Sequence, residues 1–222
     1  MNLIIKMPTI GIAIPCYHGH VTILKTLLDN IEKQSRKPDM VVVSCSGIQS
    51  IHQETYSYPL QFVITSDKLN TAQNRNIAAK LLDTDIISFM DADDQMHFQR
   101  LEMIEKAFEH NIDLFLHNYI HGFDTPDVTY DNVIFDINKL EINPWGYGAR
   151  HIERPYDDII HNGHSSISKK VFESVQFNES PSCHGKEDSV FNADVMRIFP
   201  NTAYCPHILS KYVPSSTLSF VI

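Results

Sequence analysis

Three carboxylates crowd four consecutive positions at Asp91-Ala92-Asp93-Asp94, directly after the apolar run Ile86-Ile87-Ser88-Phe89-Met90. Carboxylates this close repel one another unless a cation or hydrogen-bond donors intervene. The chemistry they suggest is capture of a divalent metal that carries a phosphate-bearing ligand. Residues two apart on an extended backbone point to one side, so Asp91 and Asp93 can converge on a single ion while Ala92 leaves room for the ligand. The plainer use is structural: Asp93 or Asp94 caps a helix that starts near Met96 or His97, and the others are hydrated in a loop.

Other residues could join such a site. Arg75 opens an amphipathic helix between Asn74 and Asn76, two poor helix formers that read as retained for hydrogen bonding, and it can pair with a carboxylate or a diphosphate. Glu187-Asp188 stands before a helix with Val190, Phe191 and Val195 at helical spacing; these charges are either chemical or simply solvated. His161-x-x-His164 with Cys183-His184 holds enough nitrogen and sulfur for zinc, although the spacing matches no common zinc pattern. His207, after Cys205-Pro206, is a further candidate metal ligand. Trp145 and His164 are candidates for contact with a sugar or acceptor, with a small satellite core as the alternative for Trp145.

The elements that must position these side chains follow from periodicity. Thr9 to Pro15 reads as a buried strand closed by proline, and Val21 to Glu32 as a helix with Val21, Leu24, Leu27, Leu28 and Ile31 on one face. Apolar runs at 40–43 and 60–64 read as further strands, and 71–82 as a helix capped by Asn70 or Thr71. After the Asp-bearing strand come a helix over 97–110, a strand over 113–117 and, in a more polar and aromatic stretch, a strand over 132–137. Apolar strands alternating with helices predict an α/β fold, a mostly parallel central sheet flanked by helices, with ligands at the carboxyl ends of the strands.

Composition narrows the partners. At 222 residues and 43% hydrophobic the chain can bury a sizeable core, and it fits one domain with two packed halves. Lys and Arg total 18 against 27 Asp and Glu, a formal charge of −9, with no basic cluster interleaved with aromatics, so nucleic acid is excluded as the expected partner. An acidic protein that binds an anion needs local compensation by metal or a few placed cations. Four dispersed cysteines, no secretory leader and no transmembrane segment lead to the expectation of a reduced, cytoplasmic protein.

In the order and spacing of five motifs the chain resembles the family-2 glycosyltransferases of the GT-A fold. Pro15-Cys16-Tyr17 is similar to the nucleotide-binding opening, and Asn70-Thr71-Ala72-Gln73-Asn74-Arg75-Asn76 to the Asn-x-Gly-x-x-x-Ala-Arg-Asn element. Asp91-Ala92-Asp93-Asp94 resembles the metal-binding signature. Phe177-Asn178-Glu179 with Glu187-Asp188 resembles the Gly-Phe-Asp-Glu and Glu-Asp pair, and 208–219 the closing segment. Where the family carries Asp-Asp-Gly-Ser after the second strand, this chain has Ser44-Cys45-Ser46-Gly47, which leaves the hydroxyl of Ser44 or Ser46 to meet a uracil, or a different nucleotide to be bound.

The resemblance implies an inverting, metal-dependent glycosyltransferase spanning 1–222. Residues 9–117 would bind the nucleotide through Pro15, Tyr17, Ser44, Ser46, Asn70, Arg75, Asp91 and Asp93, and 118–222 would shape the sugar and acceptor sites. It implies Mn²⁺ or Mg²⁺ on Asp93, with Asp91 on the ribose or a metal-bound water, His207 as an added ligand, Asp188 as general base and Glu187 tuning it. The implied donor is a nucleotide-diphosphosugar, a UDP-sugar first, and the acceptor a glycan, lipid-linked or protein hydroxyl. A sugar-phosphate nucleotidyltransferase would need a Gly-rich phosphate loop after the first strand, which Pro15 to His20 is not; a non-catalytic binding module of the same fold would not need both Asp93 and Asp188.

Overall fold

A computed structural model describes residues 7–122, 128, 134–143 and 164–213. The first half runs β1 (Ile10–Tyr17), a 3-10 turn (His18–His20), α1 (Val21–Glu32), β2 (Met40–Ser46), β3 (Leu60–Thr65), α2 (Thr71–Lys80), β4 (Ile86–Phe89), β5 (Gln95–Met96) and α3 (Arg100–Phe108). The second half adds β6 (Leu114–His121), β7 (Glu141–Ile142), β8 (Ser166–Ser168), α4 (Lys169–Ser174), α5 (Glu187–Ile198) and β9 (Thr202–Tyr212). Among the described residues these strands form one nine-stranded sheet in the order β3-β2-β1-β4-β8-β6-β9-β5, with β7 also on β9. β1 to β4, β6 and β9 share one direction, and the short β5, β7 and β8 oppose it.

The expected mostly parallel sheet between helical layers is therefore present. One core packs α1 and α3 against one face through residues such as Ile12, Ile14, Leu27, Ile31, Leu101 and Ile104, and a second packs α2, α4 and α5 on the other through Ala78, Leu82, Phe89, Val171 and Phe191. Strand order reverses between β1 and β4, the two strands that carry the opening motif and the acidic motif, and a crevice forms at their carboxyl ends by this topology.

The boundaries differ from the sequence reading for local reasons. β1 passes through Pro15 because the last β1–β4 pair is Ala13 with Phe89, so beyond it the missing proline N–H leaves no ladder bond unmade. α3 starts at Arg100 and not His97, since Gln95–Met96 pair with β9 and the His97 N–H donates to the Leu209 carbonyl. Ile134 to Ile137, the described part of the strand expected over 132–137, is not a strand; the pairing segment is β7.

Arg100 is fully buried on neutral acceptors: Nε donates to His117 Nε2 at 3.0 Å, and the guanidinium nitrogens to Ser88 Oγ, the Phe89 carbonyl and the His164 carbonyl at 2.9, 3.1 and 2.7 Å. Burial pushes it down to about 9. It ties α3 to β4, β6 and the start of β8, where the acidic motif must be held.

On the opposite face Asn76 exchanges both of its polar atoms with the backbone of Phe177, Nδ2 donating to the carbonyl at 2.9 Å and Oδ1 accepting from the N–H at 3.0 Å. Asn76→Ala strands two buried backbone groups, at about 1–3 kcal/mol each. A loss of at least about 2 kcal/mol in urea unfolding is the expected result.

Candidate active site

At the switch point the cleft has a volume of about 580 Å³. The tip of β1 contributes Pro15, Cys16 and Tyr17, the following turn His18 and His20, and the tip of β2 Ser46 and Gly47. The other walls are Asn70, Thr71, Asn74 and Arg75 at the start of α2, Asp91 to Asp93 after β4, Gly185, Glu187 and Asp188 at the start of α5, and Tyr212 at the end of β9.

Arg75 organises this space. Its side chain is 2% exposed, it grips both oxygens of Asp91 at 2.8 and 2.9 Å, and its other terminal nitrogen reaches Glu187 Oε1 at 3.3 Å. The guanidinium also lies 5.2 Å from the centre of the Phe177 ring, which stacks on Phe191 at 4.0 Å. The reading of Arg75 as a carboxylate partner describes this geometry; a surface arginine does not. Around this cation, the nearby carboxylates outweigh the opposing influence of burial and hold it charged.

Among the described residues Asp93 has no arginine on its oxygens; its nearest basic group is His20 Nε2, 3.4 Å from Oδ2. Burial first, and then the neighbouring Asp91, push its carboxyl up to about 7. A cation at its oxygens would reverse both effects. This donor set fits Mg²⁺ or Mn²⁺, hard ions held by one or two carboxylates while substrate phosphates and water complete the shell. Asp91 spends both oxygens on Arg75, whereas among the described residues no arginine reaches the oxygens of Asp93.

Asp94 is neither hydrated nor a helix cap, since α3 has Gln99 at its cap position with no side-chain cap bond. It is wholly buried: Oδ2 meets His164 Nε2 at 2.7 Å, and Oδ1 accepts the Val213 N–H at 2.7 Å. His164 Nδ1 meets Ser210 Oγ at 2.6 Å. His164 thus sits beneath the acidic loop, committed at both nitrogens, and does not line the cleft where a sugar would lie. His207 does not line it either; its ring stacks on Phe135 with centroids 4.3 Å apart. With His164 engaged, the described part of the zinc alternative is dispersed, and among the described residues no three His, Cys, Asp or Glu side chains converge on one point. Trp145 and His161 lie outside the described residues.

The serines divide. Ser44 Oγ is buried and donates to Asn74 Oδ1 at 2.8 Å, so it does not line the cleft. Ser46 does, while its Oγ accepts from Asn74 Nδ2 at 3.0 Å. Asn70 caps α2 in a reciprocal capping box with Gln73, and its Nδ2 donates to the Glu179 carbonyl at 3.1 Å. Asp188 lines the cleft from the first turn of α5, its Oδ1 accepting the Ser189 N–H at 2.7 Å. Sequence reasoning missed His18, His20, Lys68, His184 and Tyr212 as cleft residues. Two had a signal, because His18-Gly19-His20 directly follows the opening motif; Tyr212 arrives only through long-range pairing of β9.

A family model described as Glycosyl transferase family 2 matches residues 11–176. The chain belongs to this family. Among solved structures, S. aureus TarS fragment 1-349 is similar in fold, with a TM-score of 0.67 at 15% identity over 92% of this chain and 60% of that one. The same fragment in complex with UDP gives 0.66 at 15% identity, with the same coverage of both chains. The UDP-GlcNAc complex gives 0.65 at 14% identity, over 92% of this chain and 58% of that one. The chain thus spans about three fifths of the length of these TarS chains. A search of curated proteins found no match.

A raised Asp93 binds its proton more tightly folded than unfolded, so its contribution to stability is complete below about pH 4 and is lost as pH rises through about 7. The metal-free protein is therefore expected to melt at lower temperature at pH 8 than at pH 5.5 on this account, and Asp93→Asn to flatten the slope. His20, pushed down by burial, acts in the opposite sense only below about pH 6.5. Calorimetric melting of both proteins across that range measures the difference.

Proposed function

We propose that this chain catalyses inverting transfer of a sugar from a nucleotide-diphosphosugar, a UDP-sugar first, to a hydroxyl acceptor, with a divalent cation on Asp93. The observation that carries this reading is the single Arg75 guanidinium joining Asp91 at the tip of β4 to Glu187 at the start of α5. It holds Asp91 and Glu187, the neighbours of Asp93 and Asp188 in the chain, at one cleft that all four line. The membership in a glycosyl transferase family and the fold shared with TarS structures that hold UDP or UDP-GlcNAc support the donor class.

In this mechanism the tips of β1 and β2, with Tyr17, Ser46 and Gly47, receive the nucleoside. Ser44 acts at one remove by fixing Asn74, and through it the helix that carries Arg75. Asp91, immobilised by Arg75, faces the ribose or bound water. Asp93 would hold the divalent cation, which would supply neutralisation of the leaving diphosphate without proton transfer. Asp188 takes the proton from the acceptor hydroxyl as that oxygen attacks the anomeric carbon on the face opposite the diphosphate, which inverts the configuration. Glu187, fixed by Arg75, holds the first turn of α5 so that Asp188 points into the cleft.

The acceptor is a glycan, lipid-linked or protein hydroxyl, received on the side of the cleft that His184, Gly185, Glu187, Asp188 and Tyr212 border, in one domain with 9–117. Among the described residues no helix is long and apolar enough to cross a membrane, and a cytoplasmic setting is part of the proposal. The altered motif at Ser44 to Gly47 would suit a non-catalytic binding module, but Asp188 open to the same cleft as Asp93 favours catalysis.

Asp188→Asn is expected to bind UDP and Mn²⁺ normally by calorimetry while transfer falls at least about a hundredfold. UDP affinity that ignores Mn²⁺, or near-normal turnover in Asp188→Asn, contradicts the mechanism.

A further inference from the structure

We propose that the imidazole of His20 is a second protein ligand, beside Asp93, for the divalent cation that a diphosphate brings into the cleft. The proposal rests on the cation-dependent reading above and adds the residue that would select the ion.

His20 Nε2 lies 3.4 Å from Asp93 Oδ2, with side-chain exposures of 14% and 11%. Nε2 is shielded from solvent and makes no hydrogen bond among the described residues; its contact with Asp93 is an ion pair only when the imidazole is protonated. A buried, unpaired ring nitrogen is costly and calls for an explanation. Two ligands at right angles on a cation with bonds of about 2.1 Å are about 3 Å apart, close to the spacing found. Both residues line the same cleft.

The imidazole is also held in place. The Tyr17 ring packs edge-on against it with centroids 4.1 Å apart. Beneath Tyr17 the turn is so close that a Cβ on Gly19 would meet the tyrosine ring at 2.6 Å. The Tyr17-His18-Gly19-His20 turn thus seats one aromatic ring on another and fixes which nitrogen faces Asp93.

A His–Asp pair cannot cage an ion alone, which agrees with the lack of any three-ligand cluster among the described residues. It makes the cation's binding depend on phosphate oxygens. It also chooses between ions. Mg²⁺ takes oxygen ligands almost exclusively, whereas Mn²⁺ accepts a nitrogen, so the pair favours Mn²⁺.

Pulsed EPR of the protein with Mn²⁺ and UDP, and in a parallel sample Mn²⁺ and pyrophosphate, reads the ligand directly. A hyperfine coupling from one imidazole nitrogen is expected, changing on ¹⁵N-histidine labelling, absent in His20→Ala, and still present in His18→Ala. His20→Ala is also expected to lower the preference for Mn²⁺ over Mg²⁺ at least about tenfold in competition titrations. Mn²⁺ that binds through Asp93 without nitrogen coupling, or with a coupling that survives His20→Ala, overturns the proposal and leaves the Asp93 reading intact. No Mn²⁺ bound with either phosphate probe overturns both.

Discussion

The whole cleft depends on one buried guanidinium. Asp91, Asp93, Glu187 and Asp188 line a space of about 580 Å³, and four carboxylates so placed would drive the walls apart without a fixed positive charge. Arg75 supplies it by taking both oxygens of Asp91 and one of Glu187. A desolvated charge is costly by itself, and the planar fork, which holds several acceptors in fixed directions, is what makes arginine suitable where lysine is not. The compensation is deliberately incomplete. Asp93 is left with burial and a like charge beside it, a condition that either a proton or a cation relieves.

Around this interaction the fold separates support from chemistry. Arg100, Asp94, His164 and Ser210 are polar and buried, yet all of them work beneath the acidic loop. Asp94 pins that loop to β9 through the Val213 N–H and to the start of β8 through His164. In the run Asp91-Ala92-Asp93-Asp94 the three carboxylates therefore have three separate tasks: one is clamped, one is open, and one is an anchor.

Much of the N-terminal half was legible in the sequence because its strands are continuous apolar runs and its long helices are amphipathic. Met40 to Val43 and Leu60 to Ile64 lie within β2 and β3, and Val21 to Glu32 matches α1. The second half hides its strands. β8 is Ser-Ile-Ser, α4 has six residues, and β9 runs through Pro206 with bulged pairing to β6, so none has a clean period. The cleft was legible as motifs but not as partnerships. Nothing local distinguishes Arg100 from a solvated helix residue, or His164 from a loop histidine near a sugar; burial by elements dozens of residues away decides both. Ser44 looked available because its sequence position is the family's base-contact position, whereas its hydroxyl is taken by Asn74.

That small exchange has a further meaning. Asn74 holds the carboxyl end of β2 through Ser44 and Ser46, and the next residue in the chain is Arg75. The rim of β2 and the clamp behind the acidic loop are consequently joined through two adjacent residues of α2. Under the proposed function, rebuilding that rim to accept another base would disturb the seat of the guanidinium as well, so an engineer who set out to change donor preference would have to retune reactivity with it.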